Sequence, residues 1–188
     1  MARSPAFSAL RCGAITLHRI HEGNLEEVRA RFHGFADSAY MLRELETSYR
    51  PEYDAEGRQS LFGFYTSFHA TLAGASLFGI NSWGDARGYT GADTFAHMRG
   101  RGVAPASKPA LFYLAFELLG VNRVETGCFA SNFASRRSIE KTPGFVFEGT
   151  LRQYARNAAG ELEDEHRYAI LRRAWSELYA SVRVDVLP

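Results

Sequence analysis

The segment at residues 110–120, ALFYLAFELLG, places the strongest constraint on the fold, because it is apolar on nearly every side over about three helical turns. A helix that is apolar all round is normally buried, and we expect it to pack against a sheet. Gly120 is expected to end it, since glycine is common just beyond the last helical turn. Pro109, directly before the segment, is expected to kink the helix or delay its start.

Strand-like segments lie on both sides of the apolar helix. Residues 61–68 and 71–80 are aromatic and β-rich, and His69 and Ala70 between them indicate a hairpin. A third strand, 89–96, completes this meander. Downstream, the pattern predicts a strand, a short helix, a hairpin and a terminal helix, at 122–129, 131–141, 145–155 with 165–171, and 172–182.

The first sixty residues add one strand and two helices. Residues 14–20 alternate as a strand does, and Asn24 stands where it would cap a helix over 25–32. Asp37 stands where it would start a second helix over 37–49. The order of elements favours an α/β (α+β) fold, with a mixed, mostly antiparallel twisted sheet of about six or seven strands flanked by helices. We expect a single domain over 1–188.

Composition narrows the class of protein. The chain has 188 residues, a hydrophobic content of 46%, a charged content of 23% and a formal net charge of +1. These values are ordinary for a globular protein and argue against a nucleic-acid partner. No apolar run approaches the roughly 20 residues of a membrane span, and the N-terminus does not resemble a signal peptide, so we expect a cytoplasmic protein. Cys12 and Cys128 lack metal-binding spacing, and Cys128 is expected to be a buried, inert thiol.

A basic, glycine-rich turn, HMRGRGVAPASK at 97–108, leads directly from a strand into the apolar helix. Gly100 and Gly102 let the backbone approach a ligand closely. The free N–H groups of a helix start attract anions, and Arg99 and Arg101 add positive charge. The turn is therefore predicted to bind phosphate groups.

Three phosphate-binding patterns compete for this turn. The spacing does not fit the P-loop pattern G-x-x-x-x-G-K-[ST]. The dinucleotide pattern G-x-G-x-x-G would have Pro105 at its third glycine, and it belongs after the first strand of a parallel unit rather than after a meander. The pattern R-x-x-G-x-A fits Arg99, Gly102 and Ala104.

Placed between a strand and a helix, that pattern resembles the acetyl-CoA pyrophosphate loop of the GNAT superfamily of N-acetyltransferases. NFASRRSIEKTPGF at 132–145 is similar to the superfamily's N-x-x-S-x-R-x-x-E-K-x-G-F signature, with one extra residue at Thr142 and Pro143. YAILRRAW at 168–175 resembles the closing strand of the branch that acetylates ribosomal-protein N-termini and small amines. The resemblance implies a GNAT-like fold and direct acetyl transfer from acetyl-CoA, as co-substrate and without a metal, to a primary amine. Residues 61–175 would bind acetyl-CoA and 1–60 would supply acceptor-side helices.

The resemblance also implies a cofactor site. The backbone of the turn would hold the pyrophosphate, the preceding strand end would pair with the pantetheine amides, and Asn132 would hydrogen-bond the pantetheine arm. A helix cap is the alternative role of Asn132. The implied cofactor residues are Thr94, Phe95, Ala96, Arg99, Gly100, Arg101, Gly102, Val103, Ala104, Asn132, Ser135 and Arg136.

The candidate base departs from the superfamily's pattern. Many relatives carry a glutamate where this chain has Tyr89, so Asp93 and His97 are the nearest groups that could accept the proton of the amine. A strand-end hydrogen bond is the alternative role of Asp93, and an exposed turn position is that of His97.

The candidate acid departs from the pattern as well. Many superfamily members place a tyrosine where this chain has Ile139, so Ser138 is a candidate donor to the departing thiolate, with Ser135 and Tyr154 as alternatives. The departures at Tyr89 and Ile139 keep open a second class of function, a non-catalytic acyl-CoA-binding relative.

The acceptor is the least defined part of the prediction. It would be an amine, either a small molecule or a protein N-terminus, bound mainly by residues 20–60 and the final hairpin. The segment 43–57 is acidic and aromatic, which suits a cationic amine or a solvated loop. No nucleic-acid or membrane partner is expected, and the last strands or helix offer a surface for a homodimer.

Overall fold

A computed structural model describes residues 5–35 and 38–188, and within them ten strands form one sheet. Along the chain they are β1 (Ala9–Cys12), β2 (Ile15–Arg19), β3 (Glu52–Tyr53), β4 (Gln59–Phe68), β5 (Thr71–Ser82), β6 (Arg87–Thr94), β7 (Arg123–Phe129), β8 (Val146–Arg156), β9 (Leu162–Leu171) and β10 (Asp185–Leu187). Their order in the sheet is β10-β1-β2-β4-β5-β6-β7-β9-β8, and β3 pairs with β4. The β6–β7 pair is parallel; the other pairs are antiparallel.

The α-helices of the described residues are α1 (Leu25–Phe32), α2 (Ser38–Thr47), α3 (Val103–Tyr113), α4 (Phe133–Glu140) and α5 (Arg172–Leu178). They lie against both faces of the sheet. None of the described helices is long and apolar enough to cross a membrane.

Two hydrophobic cores lie on opposite faces of the sheet. The larger contains Phe64 of β4 together with α3 and α5. The smaller contains the next residue, Tyr65, together with α1 and α2. Because successive residues of a strand point to opposite faces, α3 and the pair α1–α2 cover different sides. These are termed the α3 face and the α1–α2 face.

The buried helix begins earlier than the sequence predicted. α3 starts at Val103, continues through Pro109 and passes into a π-helical turn at Leu114–Leu118. A delayed start caused by Pro109 is therefore wrong. Its ring removes one backbone hydrogen bond, but Ala110 and Leu111 are fully buried against the sheet and hold the helix in place. Gly120, at φ +72°, follows the last turn as predicted.

The α/β class and the order of the main elements are confirmed, and the sheet is larger than predicted. The additional strands β1, β3 and β10 have only two to four residues, too few to show a clear alternation. The His69–Ala70 hairpin is confirmed, and both residues have positive φ, as its tight turn requires.

One predicted helix cap is wrong and another lies outside the described residues. The Asn24 side chain makes no cap to α1. Its Oδ1 accepts from the His21 N–H at 2.9 Å and its Nδ2 donates to the Arg19 carbonyl at 2.9 Å, so it closes the preceding turn instead. Asp37, the predicted start of the second helix, is not among the described residues, and α2 is described from Ser38.

Candidate active site

β6 and β7 pair over three residues and then separate. The last pair is Tyr89 with Glu125, although β6 continues to Thr94 and β7 to Phe129. Immediately beyond this pair, Thr126 Oγ1 donates to the Thr90 carbonyl at 3.0 Å. Thr90 and Thr126 together are termed the vertex. Beyond the vertex, the β7-facing edge of β6 pairs with no strand of the described chain. Backbone groups there, apart from the Thr94 carbonyl that accepts from Arg99 Nε, could therefore pair with a ligand.

The glycine-rich turn lies at the open end of this separation, between β6 and α3. Gly100 and Gly102 have φ of +76° and +79°, in the region where glycine is favoured. Gly102 is the N-cap of α3, so the N–H groups of Val103 and Ala104 have no partner within the helix. The turn therefore provides the backbone donors that a phosphate group needs.

The side chains around the turn differ in exposure, since the two arginines face solvent and Phe95 is buried. Arg99 and Arg101 are exposed, and Arg99 Nε donates to the Thr94 carbonyl at 3.3 Å. The Phe95 ring is fully buried, and its N–H donates to the Ala73 carbonyl at 2.9 Å while its own carbonyl accepts from the Met98 N–H at 2.9 Å. These contacts give Phe95 a structural role in the core.

Asp93 is the carboxylate at the centre of the site. It lies on β6, and its Oδ2 accepts a hydrogen bond from the Tyr49 hydroxyl at 2.6 Å, while the nearby Tyr40 hydroxyl also acts to lower its pKa. Burial raises the pKa of Asp93 above its ordinary value, and the two tyrosines partly oppose this shift. A carboxylate whose pKa lies closer to neutrality is a better match to general-base catalysis. Asp93 therefore has the environment of a candidate base.

Tyr49 is held in position by the sheet. Its backbone passes directly over Gly63 of β4, where a Cβ would collide with the Tyr49 carbonyl. The glycine thus permits an approach that a larger residue would block. Tyr49 itself is buried, so its hydroxyl is fixed toward Asp93.

Lys108 also lies at the vertex, although no sequence motif indicated it. It lies in α3, is 5% exposed, and its Nζ is 3.3 Å from Thr90 Oγ1 at the vertex. Burial lowers the pKa of Lys108 to about 8, although the charge of Asp93 acts in the opposite direction. A usable signal was present in the sequence: Lys108 belongs to an apolar helix and is one of two lysines in an arginine-rich chain.

The other candidates for proton transfer are less enclosed. The His97 ring is exposed and stacks on Phe35, with ring centroids 5.1 Å apart. Ser138, in α4, is half-buried and accepts a hydrogen bond from Thr142 Oγ1 on its carbonyl. Tyr154 is exposed. The structure does not bring these side chains together with Asp93 in any hydrogen bond of the described residues.

The start of α4 shows the cap that was the alternative role of Asn132. Its Oδ1 accepts from the Ser135 N–H at 3.0 Å, and Arg136 pairs with Glu140 at 2.8 Å. The predicted cofactor roles of Asn132, Ser135 and Arg136 stay predictions.

The position where relatives carry a tyrosine is closed to solvent. Ile139 is buried in a small cluster with Cys128 and Tyr168. Burial raises the pKa of Cys128, which agrees with the predicted inert thiol. Within 5–35 and 38–188, no three side chains of the metal-binding types gather into a group.

Comparisons with known proteins identify the architecture. No protein-family model matches the chain, and no curated protein matches it by sequence. A GCN5-related N-acetyltransferase from Brucella melitensis is similar in structure, with a TM-score of 0.72, 18% identity and coverage of 94% of this chain and 84% of that chain.

Two further solved structures have named activities. The ribosomal L7/L12 α-N-protein acetyltransferase RimL, in complex with coenzyme A, has a TM-score of 0.62 and 15% identity, over 84% of this chain and 94% of that chain. A spermidine N-acetyltransferase SpeG chimera from Vibrio cholerae and hSSAT has a TM-score of 0.64 and 15% identity, over 87% of this chain and 99% of that chain. The chain therefore has the GNAT fold.

Proposed function

We propose that this protein is a cytoplasmic, acetyl-CoA-dependent N-acetyltransferase of the GNAT superfamily that acts on a primary amine, either a small molecule or a protein N-terminus. One observation carries the proposal: β6 and β7 separate beyond Tyr89 and Glu125, and the separation leads to a glycine turn at the start of a long helix. The extended pantetheine arm of acetyl-CoA carries a thioester at one end and a pyrophosphate at the other. It would match the gap between the separated strands and the anion site at the turn.

The cofactor would occupy the gap and the turn. Its pyrophosphate would accept hydrogen bonds from the N–H groups of Gly102, Val103 and Ala104, with Arg99 and Arg101 supplying charge from the surface. The pantetheine amides would pair with the edge of β6 that no strand of the described chain covers, as an added strand does. RimL, which shares the fold, was solved with coenzyme A.

The acceptor would approach from the α1–α2 face. Asp93 points to this face, because it accepts from the hydroxyl of Tyr49, which follows α2. Tyr40, within α2, also acts on its pKa. We assign Asp93 as the base that takes the proton of the attacking amine, which is needed because an ordinary amine of pKa about 10.4 is protonated at neutral pH. Glu44, whose charge acts on Asp93, adds negative potential that favours a cationic acceptor.

The second candidate function is an acyl-CoA-binding protein without transferase activity. It is favoured by the burial of Ile139, which replaces the tyrosine that many relatives use as the acid. In that case acetyl-CoA would bind in the same gap, but no amine would be acetylated.

The test combines a binding assay with a transfer assay. Acetyl-CoA binding is measured by calorimetry for the wild type, Gly102→Val and Gly57→Val, and transfer is then measured against polyamines, small amines and N-terminal peptides. Gly57 is a matched control because its φ is +72° and, as at Gly102, an added Cβ meets no atom within 4 Å, while it lies in the loop between β3 and β4.

We expect wild type and Gly57→Val to bind acetyl-CoA and Gly102→Val to lose at least tenfold in affinity. An equal loss in both variants, or no binding by the wild type, would contradict the cofactor site. Binding without transfer to any amine would favour the second candidate function.

A further inference from the structure

Lys108 is placed at the point where the strands separate. Its Nζ hydrogen-bonds Thr90 Oγ1, and that hydroxyl in turn donates to the Leu77 carbonyl at 3.0 Å. Thr90 and Thr126 are both buried and are joined by the hydrogen bond that closes the vertex. The ammonium group of Lys108 therefore lies directly beneath the closed end of the gap, on the α3 face.

A purely structural role explains this lysine poorly. An ammonium group has three N–H donors, and a single side-chain acceptor is in hydrogen-bonding range of Nζ in the described part of the chain. Burying a cation without a contacting carboxylate is costly. Among the described residues, the charged group that acts on Lys108 is Asp93, which points to the other face of β6.

The proposed cofactor brings a negative charge to this position. Pantetheine paired with the edge of β6 would reach the closed end of the gap at the vertex, where Thr126 Oγ1 donates to the Thr90 carbonyl. Its sulfur is the cofactor atom that becomes anionic when the acetyl group leaves. An ammonium group beside it would stabilise that charge, and the surrounding Thr90 and Thr126 are buried.

We propose that Lys108 is the catalytic acid that protonates the departing CoA thiolate. This assignment rests on the proposed function. The amine, bound as an ammonium ion, first loses one proton through Asp93 to solvent. Its neutral nitrogen then attacks the thioester carbon and forms the new C–N bond, the excess proton on nitrogen passes to the Asp93 carboxylate, and the C–S bond breaks. The electrons of that bond remain on sulfur, which takes a proton from Lys108. Asp93 then returns its proton to solvent and Lys108 regains one, so each cycle yields an amide and a thiol.

The chemistry of the two groups is matched. A thiol has an ordinary pKa of about 8.5, and burial brings the pKa of Lys108 to about 8, so the proton moves between groups of similar acidity. Thr90, which contacts the ammonium group, carries no charge and so does not offset the effect of burial. The negative charge of Asp93, on the other face of β6, limits the fall in the pKa of Lys108. The tyrosine that relatives carry at the Ile139 position is thus replaced by a group from a different helix.

The experiment compares binding of CoA with binding of desulfo-CoA, which lacks the thiol. Calorimetry between pH 6.5 and 8 is performed on wild type, Lys108→Met and Lys141→Met, with kcat and KM for acetyl-CoA measured in parallel. Lys141 is the matched control, since it is the other lysine of the chain and is exposed.

If Lys108 favours the thiolate, wild type and Lys141→Met will bind CoA progressively more tightly than desulfo-CoA as pH rises, by at least threefold over this range. Lys108→Met will lose that difference, and its kcat will fall at least about 100-fold while KM for acetyl-CoA changes less than threefold.

Identical pH dependence for CoA and desulfo-CoA in the wild type would overturn the assignment, as would full kcat in Lys108→Met. Either result, with CoA still bound, would leave the proposed function intact. If the wild type binds neither CoA nor desulfo-CoA, the proposed function is overturned and this assignment with it.

Discussion

Replacing Lys108 with methionine is expected to stabilise the protein at neutral pH. Burial lowers the pKa of this group from 10.5 to about 8, and each unit corresponds to about 1.4 kcal/mol. Keeping the ammonium group charged in the folded state therefore costs roughly 3 kcal/mol. Methionine fills a similar volume, but it cannot make the hydrogen bond to Thr90, and that loss lowers the free energy of unfolding by about 1 kcal/mol. The expected net gain in the free energy of unfolding at pH 7 is about 2 kcal/mol.

The gain should depend on pH with a defined sign. Between pH 8 and 10.5 the unfolded chain keeps a proton on Lys108 that the folded chain has released, so the wild type becomes relatively more stable across that window. The advantage of Lys108→Met is therefore largest below pH 8 and shrinks toward pH 10.

Urea denaturation at pH 7 and pH 10 measures this difference, with Lys141→Met as the exposed control, expected to change stability by less than about 0.5 kcal/mol. A Lys108→Met variant that is less stable than the wild type at pH 7 would refute the reasoning. An advantage that stays the same at both pH values would refute it equally.

Further substitutions separate the roles of the remaining candidates. Asp93→Asn should lower kcat at least about 100-fold. Denaturant titrations at pH 7 should show no loss of stability, because burial raises the pKa of Asp93 and its ionised form therefore destabilises the folded state at that pH. His97→Gln should change kcat/KM less than about threefold in the same transfer assay, since its ring is exposed; a larger loss would return His97 to the role of base. Asn132→Ala should lower the free energy of unfolding by about 1 kcal/mol through loss of the α4 cap. Asn132→Asp keeps the cap, so a fall in CoA affinity of this variant would support the predicted pantetheine contact.

Local sequence patterns were sufficient for the turn and for most elements. Gly100 and Gly102 have positive φ and are followed by a helix. Both features depend on neighbouring residues, so the positions of the glycines were enough to predict them. The hairpin at His69 and Ala70 is equally local. The start of α3 was misplaced because burial of the helix outweighs the effect of Pro109, and burial is not visible in the local propensity.

The chemistry of the site depends on residues far apart in sequence. Tyr49 and Asp93 are 44 positions apart, and Lys108 is 18 positions from Thr90. Nothing in the sequence around Asp93 indicates that a tyrosine hydroxyl will reach it. The short strands β1 and β10 pair across almost the whole chain, Ala9 opposite Leu187. Segments this short form strands only when the partner strand is present.

The alternation of β6 explains how one strand can serve both sides of the proposed reaction. Thr90 and Asp93 are three positions apart, so their side chains lie on opposite faces of the sheet. The carboxylate therefore faces the side from which the acceptor is proposed to approach, and the lysine under Thr90 lies on the α3 face, beneath the proposed position of the cofactor sulfur. Two groups of opposite charge can then act on one reaction without pairing with each other, which would quench both. A register shift of one residue in β6 would exchange the faces. Pairing with β5, with Ala75 opposite Asp93 and Phe78 opposite Thr90, therefore keeps the proposed base and the proposed acid on opposite faces.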